Sequence, residues 1–211
     1  ILANPGENAN TEINLSWHMD TNKKDGKVIY TLNTDLNWEN AITVYGNYEV
    51  NTVFQGKTFN HYKVSLKGLS PNTKYKYKVG ETTLSDEQYF KTGSTKFSFA
   101  VVGDWHTHMP LPNRLTAVTN LIDQMTRLER NISMIFSVGD ETSYGNVYDS
   151  WLASNSQVHF KNYLKASTIG NHDYWTQSNQ DMESFNFFRD VHNFPRNGYL
   201  NQEGISYYFK Y

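Results

Sequence analysis

Phe97-Ser-Phe-Ala-Val-Val-Gly-Asp104-Trp-His106, Ile132-Ser-Met-Ile-Phe-Ser-Val-Gly139-Asp140 and Lys165-Ala-Ser-Thr-Ile-Gly170-Asn171-His172-Asp173 share one pattern. Each has a β-branched or aromatic body, then glycine, then side chains able to hold a metal or move a proton. Short apolar runs without polar alternation suit strands buried on both faces, as in a parallel sheet. Ligands of open α/β sheets bind beyond the carboxyl ends of such strands. Three strands ending this way converge on one edge, which becomes the candidate site.

Helical spacing links the runs. Leu115, Val118, Leu121/Ile122, Met125 and Leu128 recur at three- and four-residue intervals after the turn Met109-Pro-Leu-Pro112, with Asn113 as an N-cap. That stripe is core packing. A weaker pattern, Tyr148, Trp151, Leu152, Val158 and Phe160, precedes the third strand. Strand–helix–strand–helix–strand is the grammar of a parallel sheet with right-handed crossovers.

Upstream, residues 1–95 read as a separate all-β unit. Ile13, Leu15 and Trp17 alternate with polar partners, as do Tyr62, Val64 and Leu66, and Tyr75, Tyr77 and Val79. Asp25-Gly26, Gln55-Gly56 and Ser70-Pro71-Asn72 are turn signals between them, so a β-sandwich is expected. Leu69-Ser-Pro71-Asn-Thr73-Lys-Tyr75 resembles the signature of fibronectin type III domains, in which such a tyrosine bonds back to backbone; the bland reading is a turn and an edge strand. His18 and His61 read as isolated surface or strand-face residues. Phe90–Lys96 reads as the linker, and 96–211 as the second domain.

Composition narrows the classes. In 211 residues, 15% aromatic content argues against disorder, and a net charge of −2 without charge blocks leaves no nucleic-acid patch. No run approaches the ~20 apolar residues that span a bilayer. The absence of cysteine excludes disulfides and thiolate metal sites, so any metal rests on carboxylate, amide and imidazole. The chain begins with Ile1 and has no signal-like segment, which is compatible with an exported, extracellular or cell-surface protein stripped of its signal and equally with a cloned fragment.

Asp104 and His106, two apart on a loop leaving a strand, can face one ion, and Asp140 at the next strand end can bridge two. Asn171 can offer an amide oxygen to the second, and His172 a proton to a leaving oxygen. Paired metals about 3.5–4 Å apart clamp an in-line displacement at phosphorus. Taken alone, Asp104 or Asp140 would be a helix N-cap; with His106 and Asn171-His172 beside them the metal reading takes precedence. His108 either lines the pocket or is a solvated loop residue. Tyr144, Tyr174 and Trp175 either wall the pocket or belong to the core, while His159 and His192 read as structural. Asp173 reads as a group that orients a neighbour rather than a ligand.

Gly103-Asp104-Trp-His106, Gly139-Asp140 and Gly170-Asn171-His172-Asp173 together resemble the motif series of calcineurin-like metallophosphoesterases. With the preceding sandwich, the whole chain resembles the purple acid phosphatase group. The resemblance implies Asp104, His106 and Asp140 on a first metal, Asp140 and Asn171 on a second, and His172 on the phosphate. It implies a phosphate mono- or diester hydrolase using two divalent or mixed-valence ions, with Fe, Zn, Mn and Ca all open. Its substrate would be a phosphorylated small molecule or a surface polymer.

Two departures qualify the resemblance. The purple group carries an iron-binding tyrosine three residues after the second aspartate; Ser143 stands there, Tyr144 lies one place late, and His106 replaces the usual glycine. A tyrosinate–iron chromophore is therefore not expected: a metal-loaded preparation should show no visible charge-transfer band, and a purple one would refute the exchange. The family also completes its site with a later histidine and a later His-x-His, whereas this chain offers only His192 before a strand-like Ile205–Tyr211. The expectation is a catalytic domain incomplete at its C-terminus, holding about half of a dinuclear site and inactive alone. A non-catalytic extracellular binding module is the alternative, and a self-associating remnant with an open sheet edge a third. Oligomeric state is open.

Overall fold

The computed structural model describes residues 1–52, 58–107, 113–129, 131–176 and 185–211. The first half is two antiparallel four-stranded sheets face to face. One has β1 (Leu2–Pro5), β2 (Ile13–Asp20), β6 (Thr58–Leu66) and β5 (Asn47–Thr52) in that order; the other has β4 (Ile42–Tyr45), β3 (Lys27–Leu32), β7 (Lys74–Gly80) and β8 (Gln88–Lys91). The expected alternation is what builds the core. Ile13, Leu15, Trp17, Tyr62, Val64, Leu66, Tyr75, Tyr77 and Val79 are all buried in one cluster, with Trp17 stacked on Tyr62 at 5.2 Å between centroids. Tyr75 Oη accepts the Ser70 N–H at 3.0 Å, the back-bond expected of a tyrosine at the start of a late strand.

The second half holds a three-stranded parallel sheet, β11 (Leu164–Ser167), β10 (Ile132–Ser137), β9 (Ser98–Val102), in which Ala100 pairs with Ile135 and Phe136 with Ala166. Helix α1 (Asn113–Leu128) makes the crossover from β9 to β10, and α2 (Tyr148–Asn155) and α3 (Val158–Asn162) the one from β10 to β11. Ala100, Val102 and Ile135 meet Ile122, Leu115, Val118 and Met125 of α1; Leu128, at the helix end, is 88% exposed. The opposite face carries Met134, Leu164 and Ala166 into the sandwich core, so one apolar cluster spans both halves. Asn193, just after α4 (Phe185–Val191), pins the junction by bonding Asn4 Oδ1, Leu15 O and Val64 O at 2.9–3.1 Å.

Three expectations need correction or placing. Ile205–Tyr211 is not a strand: ring stacking holds it, Tyr207 on Phe194 at 4.2 Å and Phe209 on Phe136 at 6.2 Å, and Lys210 makes only an isolated bridge to Asn8. His61 is neither isolated nor on the surface; it is 4% exposed, bonded and stacked to Tyr148 of α2 and 6.3 Å from His18. His108 and the turn Met109–Pro112 lie outside the described residues. No described helix is long and apolar enough to cross a membrane.

Burial drives the imidazoles of His61 and His192 down to about 3. Free rings titrate near 6.5, so as pH falls below that value the unfolded chain takes up protons that the folded chain refuses. Stability is therefore full above about pH 6.5 and is lost as pH drops toward 3, by up to roughly 1.4 kcal/mol per pH unit for each ring. The buried Asp173 carboxyl, raised to about 7, acts in the opposite sense over the same window. Urea midpoints should therefore fall between pH 7.5 and 5 by the net of the two rings against one carboxyl, and a midpoint that rises would contradict the burial of both rings.

Candidate metal centre

The strand ends place the motifs. Beyond β9 and β10 the two loops stay zipped together: Asp104 N donates to Gly139 O at 3.1 Å, His106 N to Asp140 O at 3.0 Å and Thr107 N to Glu141 O at 3.0 Å. Where the two loops run side by side, Asp104, His106 and Asp140 all take positive φ (61°, 44° and 53°). Non-glycine residues held there cost on the order of 1–3 kcal/mol each, a strain that concentrates at functional sites.

One ligand atom each of His106, Asp140 and His172 lies within 4.8 Å of the other two. His106 Nε2 is 3.6 Å from Asp140 Oδ2 and 3.6 Å from Asp104 Oδ1. Donors bound about 2.1 Å from a single tetrahedral ion sit roughly 3.4 Å apart, so the spacing suits a shared cation. All are nitrogen or carboxylate oxygen, a set suited to Zn, Fe or Mn. The residues fit such an ion. Asp140 is mostly buried, whereas the Asp104 side chain is 72% exposed and lies at the rim.

The third loop closes over Asp140. His172 N donates to Asp140 Oδ1 at 2.9 Å, leaving Oδ2 toward His106. Nδ1 of His172 lies 3.2 Å from the Ser143 carbonyl, which only accepts, so Nδ1 carries the proton and Nε2 is the nitrogen left for chemistry. Trp175 packs on the same ring at 4.0 Å and His106 at 4.3 Å. Asn171 is exposed on this loop, and Tyr144 is half-buried beside Ser143.

Asp173 is buried and ties the loops together. Oδ1 accepts Thr142 N at 2.8 Å and Thr142 Oγ1 at 3.1 Å, while Oδ2 accepts Gly170 N at 3.0 Å. Burial, with the Glu141 carboxylate nearby, raises its carboxyl to about 7.

Sequence reasoning missed the groups behind the site. Glu141 and Lys165 are both fully buried and meet at 2.5 Å. The available signal was a lysine at the second position of a short strand, Leu164-Lys165-Ala166-Ser167, expected inside the sheet, since a charge buried there must find a partner.

The purple acid phosphatase N-terminal domain model matches residues 1–92, and the calcineurin-like phosphoesterase model matches residues 97–210. No curated protein matches the sequence. Among solved structures, purple acid phosphatase PPD1 from yellow lupin (Lupinus luteus) seeds aligns at TM-score 0.73 and 16% identity, over 93% of this chain and 40% of its own. The sensor domain of the anti-sigma factor RsgI4 of Pseudobacteroides cellulosolvens aligns at TM-score 0.31 and 18% identity, over 44% of this chain and 92% of its own. The chain thus spans well under half the length of the lupin enzyme, whose fold it shares along nearly its whole extent. With its strand-end aspartates and histidines gathered as described, the chain belongs to the calcineurin-like phosphoesterase family, preceded by a purple acid phosphatase N-terminal domain.

Proposed function

We propose that this chain supplies the first part of a dinuclear phosphoesterase centre that hydrolyses phosphate mono- or diesters. The single observation that carries the reading is the convergence of His106, Asp140 and His172, one from each strand end, within 4.8 Å. Asp104, His106 and Asp140 would hold one ion, and Asp140 with Asn171 a second, the remaining ligands coming from outside these motifs. When bound, such ions supply Lewis acidity and an activated water for attack at phosphorus.

The chain's own residues do the rest. Asp140 contributes a carboxylate whose two oxygens have separate duties, Oδ1 fixed by the His172 amide and Oδ2 aimed at His106. His172 presents Nε2 to a phosphate or leaving-group oxygen and donates to it when the ring is protonated. The Ser143 carbonyl and Trp175 hold that ring in one orientation, so the nitrogen need not be ordered when substrate arrives. Residues 1–95 form the supporting sandwich and 96–211 the catalytic part. Extracellular action on a phosphorylated small molecule or surface polymer belongs to the same proposal.

The test is hydrolysis of an aryl phosphate monoester and diester by protein carrying this chain, before and after chelation. Loss on chelation and recovery with Mn2+ or Zn2+ is expected. Tight binding of a phosphorylated polymer with no turnover of either ester would instead favour a binding module.

A further inference from the structure

We propose that the buried Glu141–Lys165 pair is a positioning device that sets the metal-binding loops in place, a role that rests on the phosphoesterase reading above. Glu141 immediately follows Asp140, and one carboxylate gathers donors from several elements. It accepts from Lys165 Nζ at 2.5 Å, from Ser167 Oγ at 2.7 Å and from Ser154 Oγ at 3.4 Å. Ser154 Oγ in turn accepts the indole N–H of Trp105 at 2.9 Å. Trp105 is fully buried and stands between Asp104 and His106 in the chain. Lys165 and Ser167 belong to β11, which leads into Asn171 and His172. One side chain therefore connects all three motif-bearing strand ends.

The lysine is as fully engaged as the glutamate. Nζ also donates to Asn155 Oδ1 at 2.7 Å and lies 4.4 Å from the centre of the Phe160 ring. Burial opposes ionisation of Glu141, but the Lys165 charge and the hydrogen bonds outweigh it and hold the carboxyl below its ordinary range. An ion pair in this setting is weak evidence for stability, because the cost of stripping water from both charges can match their attraction and well-packed neutral residues often replace such a pair without loss. What neutral residues cannot reproduce is a fixed set of directions. With its side chain clamped, Glu141 presents its backbone oxygen to Thr107 N at 3.0 Å and Thr107 Oγ1 at 2.9 Å, anchoring both loops one residue beyond the positive-φ Asp140.

The experiment separates positioning from folding. The chelator-treated 211-residue chain is titrated with Mn2+ and followed by electron paramagnetic resonance, beside urea midpoints taken without metal. Glu141→Gln/Lys165→Met removes both charges at similar volume; it should keep its midpoint close to the parent while Mn2+ affinity falls about 10–100-fold, the range for groups that orient metal ligands. Ser154→Ala, which cuts only the Trp105 link, should weaken Mn2+ several-fold. A structural pair would lower the midpoint and leave the folded protein binding as before. Affinities within about twofold of the parent in both variants would overturn the proposal, and Ser154→Ala decides if the double variant does not fold. If the parent chain itself does not bind Mn2+, its motifs do not hold an ion on their own and this positioning role is overturned, whereas chelator-sensitive hydrolysis by the protein carrying this chain still decides the phosphoesterase reading separately.

Discussion

Asp140→Asn is expected to lower metal affinity by at least ~10³-fold and to remove hydrolysis, while leaving the fold intact. The substitution is nearly isosteric, and the amide oxygen can still accept the His172 N–H that now reaches Oδ1 at 2.9 Å. The loop connection therefore survives and only the charge is lost. Even at the dielectric of bulk water, a carboxylate about 2 Å from a dication gains roughly 4 kcal/mol, which is about three orders of magnitude in affinity. Partial burial of Asp140 strengthens that attraction. The same change at Asp104, whose side chain is 72% exposed, should cost less, because solvent screens the rim charge. Titration of both variants with Mn2+, alongside aryl phosphate turnover, checks the ranking. Near-parental binding by Asp140→Asn would remove the central ligand from the scheme.

The difference between those two aspartates could not be read from sequence. Both follow glycine at the end of an apolar run, and the runs were legible because they lack polar alternation. Even so, β9 is not buried on both faces as expected: Ala100 and Val102 are buried, while Phe99 and Val101 are 49% and 52% exposed. Which carboxylate sits inside depends on how the loops zip together, and that is set by bonds such as His106 N to Asp140 O, between residues far apart in the chain. The same limit applies to Glu141 and Lys165, separated by 24 positions. It explains His61 as well: alternation along β6 was visible, but the partner that buries the ring is Tyr148, on a helix of the other half. At the C-terminal end the error ran the other way. Ile205–Tyr211 has strand-like alternation, yet stacking of Tyr207 on Phe194 and of Phe209 on Phe136 holds it without a ladder. By contrast the Gly-Asn-His-Asp turn was readable as a motif, although the steric constraint on its glycine comes from Asp140 on the neighbouring loop.

That steric constraint gives the second large effect: Gly170→Ala should destabilise the protein by about 3 kcal/mol and disrupt the metal centre at the same time. A Cβ on Gly170 would lie 2.1 Å from Asp140 Oδ1 and 2.4 Å from Asp140 N. The second contact is backbone, so no rotamer change relieves it. The first can be relieved only if the Asp140 carboxylate swings away from the His172 amide that now fixes it. Overpacking of this kind typically costs 1–3 kcal/mol, and the rigid neighbour places it at the upper end. Gly139, at φ +97° and with its own Cβ position 2.6 Å from Gly170 N, offers no slack on the opposite side. Gly68→Ala is the control. Gly68 also has a positive φ, +70°, but a Cβ there would meet nothing within 4 Å. It should therefore lose only the ~1 kcal/mol of left-handed backbone strain and leave Mn2+ binding unchanged. Equal losses in the two variants would mean that the loops carrying Asp140 and Asn171 are not in backbone contact, and the convergence of the three strand ends would lose its physical basis.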